Sequence, residues 1–245
     1  GAGALATRGW VGRSPTPSFE GEGRFQLNAP GAYRFQPNLW APSPAVSPNG
    51  RHVAVVVQGA DGLGHLAVRS VDRLDVRVLT ATEDAEFPFW SPENRSIGFF
   101  SRGKLKVIDI TGGMVRTVCD AAAGGGTWGA DGTILFGGDG PIRRVPAVGG
   151  TPRPVTTLDL AAKESEHRHP VFLPDGHHFL FVAGAPVKAW LGTLGSAERK
   201  PLVETESKME LARGSLVYRR QGALVSQRFD LAAQNAGDLG ILLRH

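Results

Sequence analysis

Four histidines crowd one stretch of the chain: His167, His169, His177 and His178 lie within 12 positions. Imidazole nitrogens at that density are common zinc ligands, so a metal centre is the first chemistry to weigh. The acidic pairs Glu164/Glu166 and Glu204/Glu206 are the candidates for carboxylate chemistry, and Gly124-Gly125-Gly126 suggests a phosphate cradle. Ser215, in Gly214-Ser215-Leu216, and the single cysteine Cys119 are the candidate nucleophiles.

Most of these patterns have simpler explanations in their surroundings. The glycine run leads straight into Thr127-Trp128, with no helix or Lys-Ser/Thr behind it, and reads as a flexible connection. Gly214-Ser215-Leu216 lacks the second glycine of a nucleophile elbow. Cys119 ends a predicted strand and has no neighbour that would activate its thiol. As the one cysteine, it also excludes an intrachain disulfide and a CxxC metal site. Both glutamate pairs fall in polar connections, where solvated loops are expected. His177-His178 leaves a turn at the place that other units of the chain fill with Arg51-His52 and Arg95-Ser96. That leaves His167 and His169, on the connection that enters a strand at Pro170, as candidates for ligand contact. No catalytic residue, metal site or cofactor is expected.

An internal repeat must position these residues. PFWSPENRSIGFF, residues 88–100, has relatives in PAVSPNGRHVAVVV from Pro44, GTWGADGTILFG from Gly126 and PVFLPDGHHFLFVA from Pro170. Aligned at Ser47, Ser91, Gly129 and Leu173, the copies are separated by 44, 38 and 44 residues. The residue just before is always bulky and apolar: Val46, Trp90, Trp128 or Phe172, expected to be packing core between units. A tight turn follows, at Asn49-Gly50, Glu93-Asn94, Asp131-Gly132 or Asp175-Gly176, built from residues that tolerate positive φ. Two further strands complete each unit, and a weaker fifth copy runs through Ser215-Leu216-Val217-Tyr218 and Leu224 to Phe229.

Four short antiparallel strands per unit of about 40 residues are the signature of a β-propeller, whose blades pack radially around a channel. The expected fold is therefore all-β, with five visible blades at approximately 44–83, 84–120, 121–159, 160–203 and 204–245. Residues 23–245 form the propeller domain, and residues 1–22 a flexible tail or post-membrane linker. The five blades are expected to be a fragment of a ring of six or more; the alternative is a closed small ring, in which Arg24-Phe25-Gln26-Leu27 add an outer strand to the last blade. An open ring would expose strand edges to association.

Composition narrows the partners. With 41% hydrophobic and 20% charged residues the chain is not disordered, and 33 glycines with 17 prolines suit many short strands joined by turns. The net charge of +4 is spread along the chain without a basic stripe, which argues against nucleic acid. No window approaches 18 apolar residues, so nothing in these residues spans a membrane as a helix. GAGALATRGW, small and apolar before Arg8, reads either as the end of a signal or membrane segment or as a flexible tail.

The repeated proline-aromatic-Ser-Pro-turn pattern, carried by Pro88-Phe89-Trp90-Ser91-Pro92 and Phe172-Leu173-Pro174-Asp175-Gly176, resembles the TolB-type, WD-repeat-like propeller family. Over residues 44–231, stretches such as WSPENRSIGFFSRGKLKVIDITGG, IRRVPAVGGTPRPVTTLD and LVYRRQGALVSQRFD are similar to the propeller attached C-terminally to bacterial transmembrane serine/threonine protein kinases. This resemblance implies a non-catalytic sensor outside the cytoplasm, periplasmic or at the cell surface, held to the membrane through an upstream anchor. It would take a protein, peptide or small-molecule ligand at a propeller face and report to the kinase in signal transduction. The kinase motifs themselves, the Gly-rich loop, HRD and DFG, do not occur in these residues. Two other readings stand beside it: the gating propeller of a prolyl-oligopeptidase-type serine peptidase, and a stand-alone periplasmic scaffold like TolB.

Overall fold

The computed structural model describes residues 27–35 and 44–243. Among them the chain forms strands and no helix. Five sheets follow one another in sequence, and in each the strands pair antiparallel with their neighbours.

In blade 1 the innermost place is shared by β1 (Arg34–Phe35) and β2 (Ala45–Val46), both paired with β3 (His52–Gln58). β4 (Gly64–Ser70) and β5 (Val76–Val78) lie outside them. Blade 2 is β6 (Glu86–Trp90), β7 (Ser96–Ser101), β8 (Lys104–Asp109) and β9 (Arg116–Asp120). Blade 3 is β10 (Gly126–Trp128), β11 (Thr133–Phe136), β12 (Arg143–Pro146) and β13 (Arg153–Pro154). Blade 4 is β14 (His167–Phe172), β15 (His178–Ala183), β16 (Lys188–Thr193) and β17 (Arg199–Glu204). Blade 5 is β18 (Glu210–Ala212), β19 (Ser215–Arg220), β20 (Ala223–Asp230) and β21 (Asn235–Leu243). This is a β-propeller of four-stranded blades.

The repeated turn explains the Ser-Pro. The Ser47 hydroxyl accepts the His52 amide and the Ser91 hydroxyl the Ser96 amide, each at 2.9 Å, which fixes the hairpin from inside. Where the serine is replaced, an aspartate in the turn takes over: Asp131 accepts from the Thr133 amide and Asp175 from those of His177 and His178. The second turn residue has positive φ in all four units, at Gly50, Asn94, Gly132 and Gly176.

The bulky residue before the aligned position leans toward the preceding blade. Trp90 packs with Leu66 and Val68 of blade 1, and its indole N–H donates to the Ala45 carbonyl at 2.7 Å. Trp128 joins the cluster of Phe100 and Leu105 from blade 2, and Phe172 that of Leu135 and Ile142 from blade 3. Val46 departs from the expectation. It is 58% exposed, because blade 1 has no earlier blade among the described residues to receive it.

The other face of blade 1 is a valine surface, Val53, Val55 and Val57, against which Leu27, Ala29 and Tyr33 pack. The outer strand of blade 5 is β21, so the described residues of that blade supply four strands of their own, where the closed ring would have Arg24-Phe25-Gln26-Leu27 add one. Of that tetrapeptide, residues 24–26 lie outside the described residues.

The lean has a direct test. Trp90→Ala is expected to lower unfolding free energy by about 3–5 kcal/mol, and Val46→Ala by less than about 0.5 kcal/mol. Denaturant unfolding of the two variants measures both; equal losses would contradict the packing direction.

Candidate functional site

The inner strands carry a shared irregularity. Four residues before the aligned position stand Phe87, Gly125 and His169 in blades 2, 3 and 4. All three have positive φ: 47° at Phe87, 87° at Gly125 and 53° at His169. Pro88 and Pro170 follow two of them; lacking an N–H, they cannot donate to the ladder. The register shifts there, between Glu86 and Phe89 in β6 and between Arg168 and Val171 in β14. Glycine accepts this backbone freely, whereas a phenylalanine or histidine must be held in it by its surroundings.

The kinks bring the two rings together. The Phe87 and His169 centroids are 5.6 Å apart, and the His169 amide donates to the Gly124 carbonyl at 2.7 Å. Gly125 lies under the imidazole, where a Cβ would stand 2.8 Å from His169 Nδ1. At Gly126 a Cβ would meet the Phe89 ring at 2.5 Å, and at Gly124 the Gly138 backbone at 2.5 Å. The glycine run is thus a place of close contact rather than the flexible connection expected, and Gly126 already belongs to β10.

Phe87, Gly125 and His169 border a cavity of about 1600 Å³, a funnel lined by the inner strands of all five blades. Charged loops rim it. Arg168 pairs with Glu166 at 2.6 Å, Lys208 pairs with Glu210, and Glu206 accepts the amides of Gln221 and Gly222. Burial, aided by the charges of Lys208 and Arg168, pushes the His169 imidazole down to about 4. It is therefore neutral at physiological pH.

His167, two residues earlier, is placed quite differently. Its side chain is completely buried. The Thr156 hydroxyl accepts the Ile142 amide and, with its own proton, donates to His167 Nδ1 at 2.8 Å. Nε2 faces Glu164 Oε2 at 3.1 Å, to which it donates when it carries the proton, and Arg199 Nη1, itself a donor, at 3.2 Å. Glu164 also accepts from the Asp159 amide at 2.8 Å and from Arg199 at 2.9 Å, and the Arg199 guanidinium sits 4.1 Å over the Trp190 ring. Burial works to raise the Glu164 carboxyl, but the hydrogen bonds from Arg199, Asp159 and His167 outweigh it and leave it below its ordinary value. Burial also lowers the His167 pKa, against the pull of Glu164. Hydroxyl, imidazole and carboxylate line up as in a hydrolase triad. All three are buried, however, and the hydroxyl proton is already engaged. The network fastens the connection between blades 3 and 4.

The remaining candidates take structural places. His178 Nδ1 lies 2.6 Å from Asp175 in the turn, and among the described residues no group of three or more metal-ligating side chains forms. Cys119 packs between blades 2 and 3, where burial pushes its thiol up to about 11. Sequence reasoning missed Phe87 and Gly125. Their signal was present: both share His169's column of the repeat.

No protein-family model and no curated protein sequence matches the chain. Solved structures do. TolB from Acinetobacter baumannii aligns at 16% identity and a TM-score of 0.64, over 81% of this chain and 53% of that one. The fold is that of a TolB-type propeller. A chain of a nidogen/laminin complex aligns at 14% identity over 80% of this chain and 78% of its own, with a TM-score of 0.65. The β-propeller domain of the Trilobed protease from Pyrococcus furiosus aligns at 14% identity over 84% and 70%, with a TM-score of 0.55. The TolB-type likeness at these identities is one of fold, and this chain spans about half the length of the Acinetobacter protein (53%).

The two histidines set a pH dependence. Both have folded pKa values below the ordinary 6.5, His169 near 4. Their contribution to stability is complete above about pH 6.5 and falls at lower pH, where the unfolded chain binds more protons; for His169 it is lost as pH falls through about 4. Denaturant unfolding at pH 7.5, 5.5 and 4.5 should give a decreasing free energy, with a shallower decline in His169→Gln. A flat profile in the wild type would contradict the lowered imidazole pKa values.

Proposed function

We propose that this propeller is a non-catalytic sensor that binds a protein, peptide or small-molecule ligand in its funnel. The observation that carries the reading is the left-handed pair Phe87 and His169 meeting over Gly125 at the cavity. Backbone strain of this kind persists where function uses it, at ligand clamps above all. A neutral imidazole beside an aromatic ring offers an apolar surface with one hydrogen-bonding handle, and charged loops around it supply further contacts. Rigid blades hold those loops in place. Of the two histidines, His169 is the ligand-contact residue and His167 its support from behind.

The parent activity follows from the resemblance over residues 44–231. The domain is the extracytoplasmic part of a bacterial transmembrane serine/threonine protein kinase, periplasmic or at the cell surface, and ligand binding reports to the kinase. Likeness to a protease's propeller favours a second reading, the gating propeller of a prolyl-oligopeptidase-type peptidase. A kinase domain with a membrane helix in the same reading frame supports the first, and an α/β-hydrolase domain supports the second. A complete signal peptide with no attached domain supports a TolB-like scaffold.

The site is tested by His169→Gly and Phe87→Gly. Glycine accepts the positive φ at each position, so the fold is expected to survive. In a thermal-shift screen of short peptides and metabolites, a ligand of the funnel should raise the wild-type Tm by several degrees and leave the double variant unmoved. Ligands that shift both proteins equally would place binding elsewhere.

A further inference from the structure

The outer edges of the blades differ in how they are protected. β5 is only three residues long and β13 only two, ending in Pro154. β9 carries Arg116 and Asp120, and β17 contains Arg199, Lys200 and Pro201. Shortness, charge and proline are the devices that stop sheet edges from pairing with other chains. β21 has neither the shortness nor the proline. It is nine residues long, NAGDLGILL, with one charge at Asp238 and no proline.

Its side chains are also exposed. Leu239 is 45%, Ile241 48% and Leu242 53% accessible. Ile241 lies opposite Val225 and Leu239 opposite Gln227, on the face turned toward blade 4. A further blade beyond blade 5 would therefore not cover them. The register shifts on either side, between Gln227 and Phe229 and between Leu224 and Val225, leaving Leu239–Ile241 as a regular stretch. Among the described residues β20 is the only strand that pairs with β21, and no described strand takes its second edge.

We propose that this edge pairs two copies of the chain, antiparallel, about a two-fold axis at Gly240. The sequence is self-complementary in that register. Leu239 of each copy falls opposite Ile241 of the other, giving apolar cross-strand pairs on one face. Gly240 at the axis puts no side chain between the copies. Each Asp238 lies two residues from the axis, outside the regular stretch, so the two carboxylates stay apart. Because the same edge serves both copies, the contact closes on itself as a dimer and leaves no free β21 edge for a third.

Sedimentation of the wild-type protein over a range of concentrations should show a monomer converting to a dimer and no larger species. Ile241→Lys should remain monomeric throughout, with an unchanged far-UV circular dichroism spectrum. Gly240→Cys, with its two thiols facing each other, should form a cross-linked dimer under mild oxidation, whereas Asp238→Cys should not. Cys119 does not compete, being buried with its thiol pushed up to about 11. The proposal is overturned by a wild type that stays monomeric, by dimers that Ile241→Lys leaves intact, or by equal cross-linking of the two cysteine variants. It is equally overturned by a monomer whose edge instead takes up an added strand peptide of another sequence.

Discussion

A four-stranded blade with apolar residues on both faces cannot cover itself, and this sets most of the structure. Burial has to come from the next blade, at about 25 cal/mol for each Å² of apolar surface removed from water. The strands that meet this demand are apolar almost throughout, as in HVAVVVQ, rather than alternating. The residue at the end of each inner strand leans back into the preceding blade, and Trp90, Trp128 and Phe172 all do so. Val46 makes the rule visible by lacking a blade to lean on. The valine face of blade 1 obeys the same demand, taking its cover from Leu27, Ala29 and Tyr33.

Radial packing crowds the inner strands, and the candidate site grows out of that crowding. Gly125 and Gly126 let blade 3 approach blades 4 and 2 to distances that no side chain would permit, and Gly124 does the same within blade 3. Over the gap they create, the kinks at Phe87 and His169 swing two rings together at the funnel. Behind them the Thr156–His167–Glu164–Arg199 network anchors the connection from which Lys163 and Glu166 reach the cavity. Rigid support and an adaptable rim are thus separate parts of one inter-blade segment.

Much of the architecture was legible because the repeat states it several times. Spacing, turn residues and the bulky column place the strands of blades 1 to 4 without reference to tertiary structure. What the repeat could not give was side-chain direction within an irregular strand. His167 and His169 are two apart, so a regular strand would point them to one face. The positive φ at His169 breaks that alternation and sends one ring to the funnel while the other stays in the core. Phe87 was overlooked for the same reason, being one more aromatic in an inner strand. The outer strand of blade 5, β21, also lay beyond the repeat, whose weak fifth copy showed only the two middle strands.

The central claim is that these kinks hold a neutral, half-buried His169 against Gly125. NMR titration of the histidine side chains tests it most directly. The His169 imidazole should titrate near pH 4 in the wild-type protein. In Gly125→Ala, where a methyl group would stand 2.8 Å from Nδ1, the ring must move and its titration should rise toward 6.5. A wild-type His169 that titrates at 6.5, or a value unmoved by the added methyl, would contradict the account.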